Sequence, residues 1–433
     1  MCLAILRDQT PPAKTKEDPA ACVAMADLAS DDEGIAGVLA VVADCGSHSC
    51  RAGMSGDENP RVNFASVVGS AKDAKDGGGR VVGAEAVSRR ADLALRRAYR
   101  GKVAADWDDV EHVWSQIFSE LSVPSNEHPV LVAEPHLCPK FHREQLAQLM
   151  FETFTVPALL TQSQAVLALF ATGGTHGVVV DSSESATHVV PVWDGKPLTT
   201  SLVPVSGGGG ALTRLWREQL LARNGGGDGG EGSPIAAMAS DVFALEDLKH
   251  AHCFVAADAQ AFDAISDADG SSSRGTASVH KLPDGTKVTI GRADCARVGE
   301  ALFRPEVVAA GPGAVGLQRQ CGIAVAAQRA ILNCEVAIRP SLYSNVVVCG
   351  GNCQMDGFAA RFESELGAIA PGVHAVGLHS TKVELQCTPE DAAGAAVWRG
   401  GSLLAALSTF EKLAVAKADY DESGPSIINR KTF

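Results

Sequence analysis

Short apolar runs alternate with amphipathic, helix-like stretches along most of the chain. One run, "GVVVD" (177–181), stops at Asp181 and is followed by the polar turn "SSES" and a second apolar run. This pattern predicts a strand, a tight turn and a second strand. The segment "GVLAVVADCGSHSCRAG" (37–53) has the same plan, with Asp44 and Ser47 in the equivalent places. Two such units predict two related halves that face each other across a cleft.

A third candidate element lies late in the chain. In "NVVVCGGNCQMDGFAARFESEL" (345–366), a predicted buried strand runs into Gly350 and Gly351, and an amphipathic helix follows Gly357. A double glycine between a strand and a helix lets the backbone lie close to a flat ligand. Together with the two Asp turns, this segment predicts the third wall of a nucleotide site in an α/β fold.

Composition narrows the class of protein. The 433 residues exceed one small core, so two or more domains are expected. The net charge of −14, with no strong Lys/Arg cluster, disfavours direct nucleic-acid binding. No stretch approaches a membrane span or a usable signal sequence. The 12 cysteines therefore predict a reducing compartment and mostly free thiols, and neither Cys45/Cys50 nor Cys349/Cys353 has a zinc-finger partner pair.

Several segments have compositions typical of loops or exposed surface. Residues 1–30, rich in Pro, Ala and charge, predict a flexible extension. The Gly/Ser/Asp-rich stretches 69–80, 222–234 and 266–278 predict surface loops. The run "SRRADLALRRAYR" (88–100) alternates basic and apolar residues and favours a solvated helix face.

The polar turns have the chemistry to bind phosphate and a cation. Turn amides and hydroxyls, including those of Ser47 and Ser182, can bind phosphate oxygens. Asp44 and Asp181 would then face each other, and two facing carboxylates repel unless a cation such as hydrated Mg²⁺ lies between them. Either Asp alone could equally cap its turn, but the pair favours a cation site.

Hydrolysis would require a positioned water molecule. Gln164 begins the predicted helix "SQAVLALFATG" and could project into the cleft. His188, at the start of the strand after the second turn, is a candidate proton acceptor or water-orienting group. A lone His beside a strand is as often simply hydrogen-bonded, so both interpretations of His188 stay open.

These pieces together resemble the actin family, within the superfamily of sugar kinases and chaperone ATPases. The likeness runs from about Asp31 to Phe433. Its most specific segments are "EHPVLVAEPHLCPKFHREQLAQLMFETFTVPAL" (127–159), "KLPDGTKVTIG" (281–291), "VWRGGSLLAALSTF" (397–410) and "YDESGPSIINRKTF" (420–433). The segments "ETFTVPALL", "SNVVVCGGN" and "RKTF" are similar to centractin, whereas "YDESGPSI" is closer to conventional actin. The mixture indicates a divergent actin-like or actin-related protein.

The resemblance implies an actin-like ATPase fold: two related α/β halves around a central nucleotide cleft, each with a smaller outer subdomain. The implied divisions are a flexible extension (1–30), a first half (31–173, outer loop region about 67–100), a second half (174–394, inserted subdomain about 212–300) and a C-terminal segment returning to the first half (395–433).

The resemblance also implies ATP or ADP with Mg²⁺ as ligands. By position, the nucleotide-binding set comprises Asp44, Gly46, Ser47, Arg51, Ser182, Ser183, Lys249, Gly350 and Gly351. Lys249 would lie toward the adenosine, and the two glycines would form its wall. The catalytic set comprises Gln164, Asp181 and His188, and Mg²⁺ would be held through water by Asp44, Gln164 and Asp181.

The chain departs from the family in both phosphate loops. Family members have Gly where this chain has His48, Ser183 and Ser185, and Asp where it has Glu184. If the replaced glycines had positive φ, each substitution would cost about 1–2 kcal/mol. Two such losses would weaken nucleotide binding by roughly 10- to 1,000-fold.

Further departures lie on the adenosine side. The ribose-binding acid is replaced by His250 and the Lys that packs on adenine by Gly394. In the strand–helix turn "VSGGGGALT" (205–213), the family's Arg and Asp are Gly210 and Ala211.

Two functions follow from the resemblance and stay open. One is a protein of the cytoplasm and cytoskeleton that binds Mg-ATP or Mg-ADP, hydrolyses it slowly, and assembles into or joins a filament. The other is a non-cycling structural subunit of a dynactin-like, axonemal or chromatin assembly. A small-molecule kinase is disfavoured by the actin-like tail, and fold alone does not decide between the first two.

The expected partners are other actin-like subunits or a multiprotein complex. An apolar groove lined by Phe170, Thr175, Leu404, Leu407 and Thr409 would receive amphipathic helices of regulators. Ordinary core at a helix seam is an equally good interpretation of these residues.

Two loops bear on assembly. In "VVGSAKDAKDGGGRVVGAEA" (67–86), the tip has Lys, Asp, Ala and Gly, with no apolar side chain to insert into a neighbouring subunit. The loop "RPEVVAAGPGAVGLQRQCG" (304–322) is longer than the family norm. Both features predict that the protein alone does not form long actin-like filaments.

Overall fold

The computed structural model describes residues 38–72, 79–101, 103–205, 207–224, 234–271, 277–282, 285–308, 321–370, 377–380 and 395–431. All of them belong to one compact unit that spans Ile35–Phe433. The predicted extension 1–30 and the central parts of the three predicted loops lie outside the described residues.

The strands, numbered in chain order, have the following bounds: β1 Val41–Cys45, β2 Ser49–Met54, β3 Val62–Ala65, β4 Val67–Ala71, β5 Val81–Val82, β6 Leu93–Arg97, β7 Tyr99–Arg100, β8 Val103–Ala104, β9 Val130–Glu134, β10 Ala158–Ser163, β11 Gly177–Ser182, β12 Thr187–Trp193, β13 Lys196–Pro197, β14 Val203–Val205, β15 Ala277–Lys281, β16 Lys287–Gly291, β17 Val346–Cys349, β18 Leu378–Ser380 and β19 Val415–Ala416.

The α-helices have these bounds: α1 Gly83–Ser88, α2 Trp107–Leu121, α3 Lys140–Gln148, α4 Gln164–Phe170, α5 Gly209–Arg223, α6 Pro234–Met238, α7 Val242–His252, α8 Ala259–Ser271, α9 Arg292–Glu300, α10 Pro305–Val308, α11 Ile323–Leu332, α12 Arg339–Tyr343, α13 Phe358–Ile369, α14 Ala396–Ala405, α15 Phe410–Leu413, α16 Lys417–Ser423 and α17 Ile428–Lys431.

Two sheets share one plan. The first has the order β19–β10–β9–β1–β2–β3, and the second has β13–β12–β11–β17–β18 with β14 also paired to β12. In each sheet a central strand, β1 or β11, runs antiparallel to the strand after its turn and parallel to a later strand, β9 or β17. This shared topology confirms the predicted α/β fold with two related sheets. We propose that the two sheets form the cores of the two predicted halves.

The central strands are apolar because they are buried along their whole length. Every residue of β1 and β11 is buried, and strands with parallel neighbours in such sheets need a nearly continuous apolar run rather than an alternating one. The sequence patterns at 37–53 and 177–193 therefore predict these strands correctly.

A separate core joins the two sheets. It contains Val42 of the first sheet, Val179 and Val347 of the second, and the apolar side chains of α4 and α14. The indole nitrogen of Trp398 in α14 donates a hydrogen bond to the carbonyl oxygen of Val42 at 2.9 Å. The C-terminal segment thus packs against the first sheet, and its strand β19 pairs with β10 and forms an edge of that sheet.

The prediction of a helix face at 88–100 is wrong. Helix α1 ends at Ser88, and Leu93–Arg97 is a strand that pairs with β4. Two of its arginines make ion pairs: Arg96 with Asp109 of α2 at 3.0 Å, and Arg97 with a carboxylate of α7 at 3.1 Å. The basic residues are therefore fixed by partners outside the segment, which local spacing does not reveal.

Close packing of α14 on α4 depends on Gly400. A β-carbon at Gly400 would lie 1.8 Å from the carbonyl oxygen of Leu167. We therefore expect Gly400→Ala to destabilise the protein by about 1–3 kcal/mol through overpacking. A lowered midpoint of thermal or urea unfolding measures this effect.

The matched control is Gly367→Ala in α13, where a β-carbon would meet nothing within 4 Å. Because Ala favours a helix over Gly, this variant should be stabilised by up to about 1 kcal/mol. Equal unfolding midpoints for the two variants would contradict the packing argument.

Candidate functional site

The last residue but one of each central strand is an aspartate, Asp44 in β1 and Asp181 in β11. Asp44 is 7% exposed and Asp181 is 4% exposed. They occupy equivalent register positions, because Asp44 lies opposite Arg51 in the β1–β2 pair and Asp181 lies opposite His188 in the β11–β12 pair. The internal similarity of the sequence thus places matching chemistry at matching positions.

Each carboxylate has a polar partner from another element. The amide nitrogen of Gln164, the first residue of α4, donates to Asp44 Oδ1 at 2.8 Å. The Nε2 atom of His136 lies 3.3 Å from Asp181 Oδ2, and the His136 and His188 rings are 5.4 Å apart between centroids. The structure therefore brings the predicted cation and catalytic residues into two polar groups at the ends of the central strands.

His136 was missing from the residues predicted from sequence. It follows β9, the parallel neighbour of β1, and so reaches the same edge of the first sheet as Asp44. Its partner Asp181 belongs to the second sheet, so this contact spans the two sheets. Neither Asp turn gives any sign of His136 in the sequence. Only the order of the strands in the sheet would have indicated that His136 lies near Asp181.

The two predicted phosphate loops touch each other directly. The hydroxyl of Ser185 donates to the Ser47 hydroxyl at 2.7 Å. The Ser182 hydroxyl lies 2.7 Å from Thr187 Oγ1 and also accepts from the Asn352 side chain at 3.1 Å. A phosphate group that used Ser47 would therefore have to displace Ser185.

Other features fit an anionic nucleotide. The Nε atom of Arg51 is buried and has no hydrogen-bond partner within the described part of the chain, and a buried guanidinium donor is satisfied well by phosphate. A β-carbon at Gly351 would meet nothing within 4 Å, so space is open at the predicted adenosine wall. Gly350 has φ +91°, and a β-carbon there would lie 2.2 Å from the Ser182 carbonyl oxygen. Arg51 and the glycine pair thus fit phosphate and adenosine, while Ser185 opposes phosphate.

The positive φ that would have strained the residues replacing glycine is not found at these positions. His48, Ser183 and Ser185 are not among the described non-glycine residues with positive φ. Those residues are Ser122, Leu137, Thr155 and Asp194. Because the replaced positions do not require the left-handed region, any cost of the substitutions comes from the added side chains rather than from strain.

Lys249 and Glu184 both contact the first turn of α5. Lys249 is buried and donates to Thr213 Oγ1 at 2.8 Å, and burial lowers the pKa of its amine. The Glu184 carboxylate lies against Gly209 and Gly210 at the start of α5, because β-carbons there would lie 2.7 and 2.8 Å from its oxygens. Burial, together with the charge of Glu246, raises the Glu184 pKa. The Glu184 carboxylate thus lies beside Gly210, the position at which the resemblance implies an arginine in other family members.

A second residue missed from sequence, Glu246 of α7, lies beside His48. Its Oε2 atom is 3.5 Å from His48 Nδ1, and its Oε1 atom accepts from Arg97 at 3.1 Å. Although 46% of the His48 side chain is exposed, desolvation inside the cleft and the charges of Arg97 and Lys249 lower its pKa to about 4. Desolvation likewise lowers the pKa of His250 to about 4. Both imidazoles are neutral at pH 7.

The predicted groove residues differ in exposure. Leu404 is only 5% exposed and belongs to the core that joins the sheets, with Phe170 packed against it. Leu407 is 54% exposed, Thr175 is exposed and Thr409 is half-buried. Leu404 is therefore a core residue, whereas Leu407 lies on an accessible rim.

The structure also bears on the expected free thiols and on the search for a membrane-spanning helix. Nine described cysteines are free thiols, and all but two of them are buried. The buried ones are Cys45, Cys50, Cys253, Cys295, Cys334, Cys349 and Cys353, and the half-buried ones are Cys138 and Cys321. Among the residues that the structure describes, no helix combines the length and apolar character needed to cross a membrane. Gly394, predicted to replace an adenine-packing Lys, lies outside the described residues.

Comparison with protein families agrees with this architecture. The family model described as Actin matches residues 35–225 and 237–433. The match includes both Asp turns, helix α4 and the Gly350–Gly351 turn, and it covers well over half of the chain. Members of this family generally bind a nucleotide together with Mg²⁺. This chain therefore belongs to the actin family.

Proposed function

We propose that this chain is a cytoskeletal actin-family protein that binds ATP or ADP with Mg²⁺ weakly and hydrolyses ATP slowly. The observation that carries the proposal is the buried Arg51 donor beside the paired Asp44 and Gln164. An anion at Arg51 and a hydrated cation at the carboxylates would satisfy groups that this fold holds in place.

The residues would divide the work as follows. Asp44, Gln164 and Asp181 would hold the waters of Mg²⁺, and the cation would offset phosphate charge. The hydrogen bond to Asp44 fixes the amide of Gln164, which would orient a water for attack. His188, opposite Asp181 in the β11–β12 pair, would accept or relay a proton.

Weak binding is expected from the contents of the cleft. The Ser185 hydroxyl is bonded to Ser47, which a phosphate would need. Glu184 and Glu246 add negative charge, which Arg97 and Lys249 compensate only in part once a nucleotide arrives. Like charges in a partly buried site oppose each other strongly.

Removing the Ser185 side chain should strengthen nucleotide binding. A typical hydrogen bond contributes about 0.5–1.5 kcal/mol net, so Ser185→Gly should tighten Mg-ATP binding by about two- to tenfold. Calorimetric titration of wild type and variant measures the ratio.

Ser183→Gly is the matched control, because the Ser183 hydroxyl bonds to Ala186 within its own turn. Its effect should be the smaller of the two. If neither wild type nor Ser185→Gly gives heat with Mg-ATP at high micromolar protein, nucleotide binding is refuted.

Gln164→Ala should slow hydrolysis selectively. A water-orienting group acts mainly in the transition state, so phosphate release should fall by about 100-fold while Mg-ATP affinity stays nearly unchanged. Gln162→Ala is the control, because Gln162 lies in β10, the strand just before α4, and its side-chain oxygen accepts from the backbone amide of Ser163. Equal losses of affinity and turnover in Gln164→Ala would contradict the assigned role.

A second function, a non-cycling structural subunit of a larger assembly, has an observation in its favour. The Ser185–Ser47 hydrogen bond and the Arg97–Glu246 ion pair bridge the cleft without a nucleotide. Such bridges would keep the two sheets together in an empty protein. The calorimetric titration of Ser185→Gly separates this function from the first.

We further propose that the protein acts as a monomer, short oligomer or subunit of an assembly in the cytoplasm. The polar tip of the 67–86 loop and the long 304–322 loop support this, although 73–78 and 309–320 lie outside the described residues. The exposed rim at Leu407 would contact helix-bearing regulators.

Electron microscopy tests the assembly proposal. Each of two or three apolar side chains missing from a subunit contact makes the free energy of association less favourable by about 1.5–3 kcal/mol. Together these losses lower the association constant by several powers of ten. Protein at tens of micromolar with Mg-ATP should therefore show particles or short oligomers. Abundant long two-stranded filaments would contradict this account of the loops.

A further inference from the structure

A second cluster of potential ligands lies beside the Asp44–Asp181 region. It consists of His48 from the β1–β2 turn, Glu184 from the β11–β12 turn and Glu246 from α7. One nitrogen or oxygen atom of each residue lies within 4.8 Å of the others. Among the described residues, no other group of three His, Cys, Asp or Glu side chains comes together in this way.

The spacing suits a shared ion better than a direct hydrogen bond. His48 Nδ1 and Glu246 Oε2 are 3.5 Å apart, which is beyond the usual range for a hydrogen bond. Two ligand atoms on a tetrahedral ion, with metal–ligand bonds of about 2.0–2.1 Å, lie about 3.3 Å apart. An ion between these atoms would therefore need only a small adjustment.

Neighbouring groups hold two of the three ligands in place. Arg97 binds the Oε1 atom of Glu246, while the Oε2 atom is the one directed at His48. The Glu184 carboxylate packs against Gly209 and Gly210, where a β-carbon would collide with it. Outer contacts of this kind orient metal ligands and raise affinity.

Charge is the main opposing consideration. Arg97 pairs with Glu246, and the charge of Lys249 acts on Glu184. A cation would have to share these carboxylates with two basic side chains. Direct ion pairing without a metal is thus the competing arrangement, and it predicts no metal binding at all.

We propose that His48, Glu184 and Glu246 bind one divalent transition-metal ion, of the Zn²⁺ or Co²⁺ class, with water in the remaining positions. This site is distinct from the Mg²⁺ position assigned to Asp44, Gln164 and Asp181. An imidazole ligand favours such ions over Mg²⁺, which prefers oxygen ligands and its own waters. The bound ion would tie together both Asp-bearing turns and α7.

The test is a metal titration of the full chain, stripped of metal by a chelator and free of nucleotide. Co²⁺ absorption reports coordination by the protein, and Zn²⁺ calorimetry in millimolar Mg²⁺ reports affinity and stoichiometry. Wild type should bind one equivalent. Because loss of outer contacts alone costs 10- to 100-fold, His48→Gln and Glu184→Gln should each weaken binding by about 100-fold or more.

His280→Gln is the matched control. His280 Nδ1 lies 3.2 Å from His252 Nε2, so this pair is the obvious alternative place for an adventitious ion. The control should bind the metal like wild type. Thermal unfolding of each variant without metal shows that it is folded, and two independent variants guard against loss of fold in one.

Three results would overturn the proposal: no stoichiometric binding, unchanged affinity in His48→Gln and Glu184→Gln, or loss of binding in His280→Gln instead. Because the titration contains no nucleotide, these results do not depend on whether the cleft binds ATP. A failed Mg-ATP titration likewise leaves the metal site untouched.

Discussion

The burial of two carboxylates, those of Asp44 and Asp181, is the constraint on which the arrangement of this site depends. Moving a charged group out of water costs several kcal/mol unless it finds a partner. The side chain of Gln164 donates a hydrogen bond to Asp44, and the imidazole of His136 is the partner of Asp181. The second contact joins the two sheets, because His136 follows β9 of one and Asp181 lies near the end of β11 of the other. The relative position of the two sheets is therefore tied to these side chains.

Three residues that depart from the family pattern, Glu184, Ser185 and His48, each have a neighbour that accommodates them. Glu184 lies where Gly209 and Gly210 leave room for its carboxylate. Ser185 bonds to Ser47 across the cleft, and His48 faces Glu246. Because each of these replacement side chains has its own contact, the three positions are rearranged rather than simply lost.

Local patterns predicted the strands, both Asp turns, Gln164 and the glycine pair, since each depends on residues that are close along the chain. His136 and Glu246 escaped prediction because only the sheet order and the packing of α7 bring them near. The expected strain at His48 and Ser185 also failed, because a sequence gives residue types but not φ angles. The prediction of a helix face at 88–100 was wrong for a related reason. Arg96 and Arg97 form ion pairs with carboxylates on other elements, which the local spacing does not show.

The central claim is that a rearranged actin-family cleft binds nucleotide weakly. The nucleotide released when the purified, extensively dialysed protein is denatured tests it most directly. The account predicts far less than one adenine nucleotide per chain after dialysis, with ATP or ADP recovered only when it is added back with Mg²⁺. Retention of one equivalent of ATP or ADP through dialysis would contradict the account.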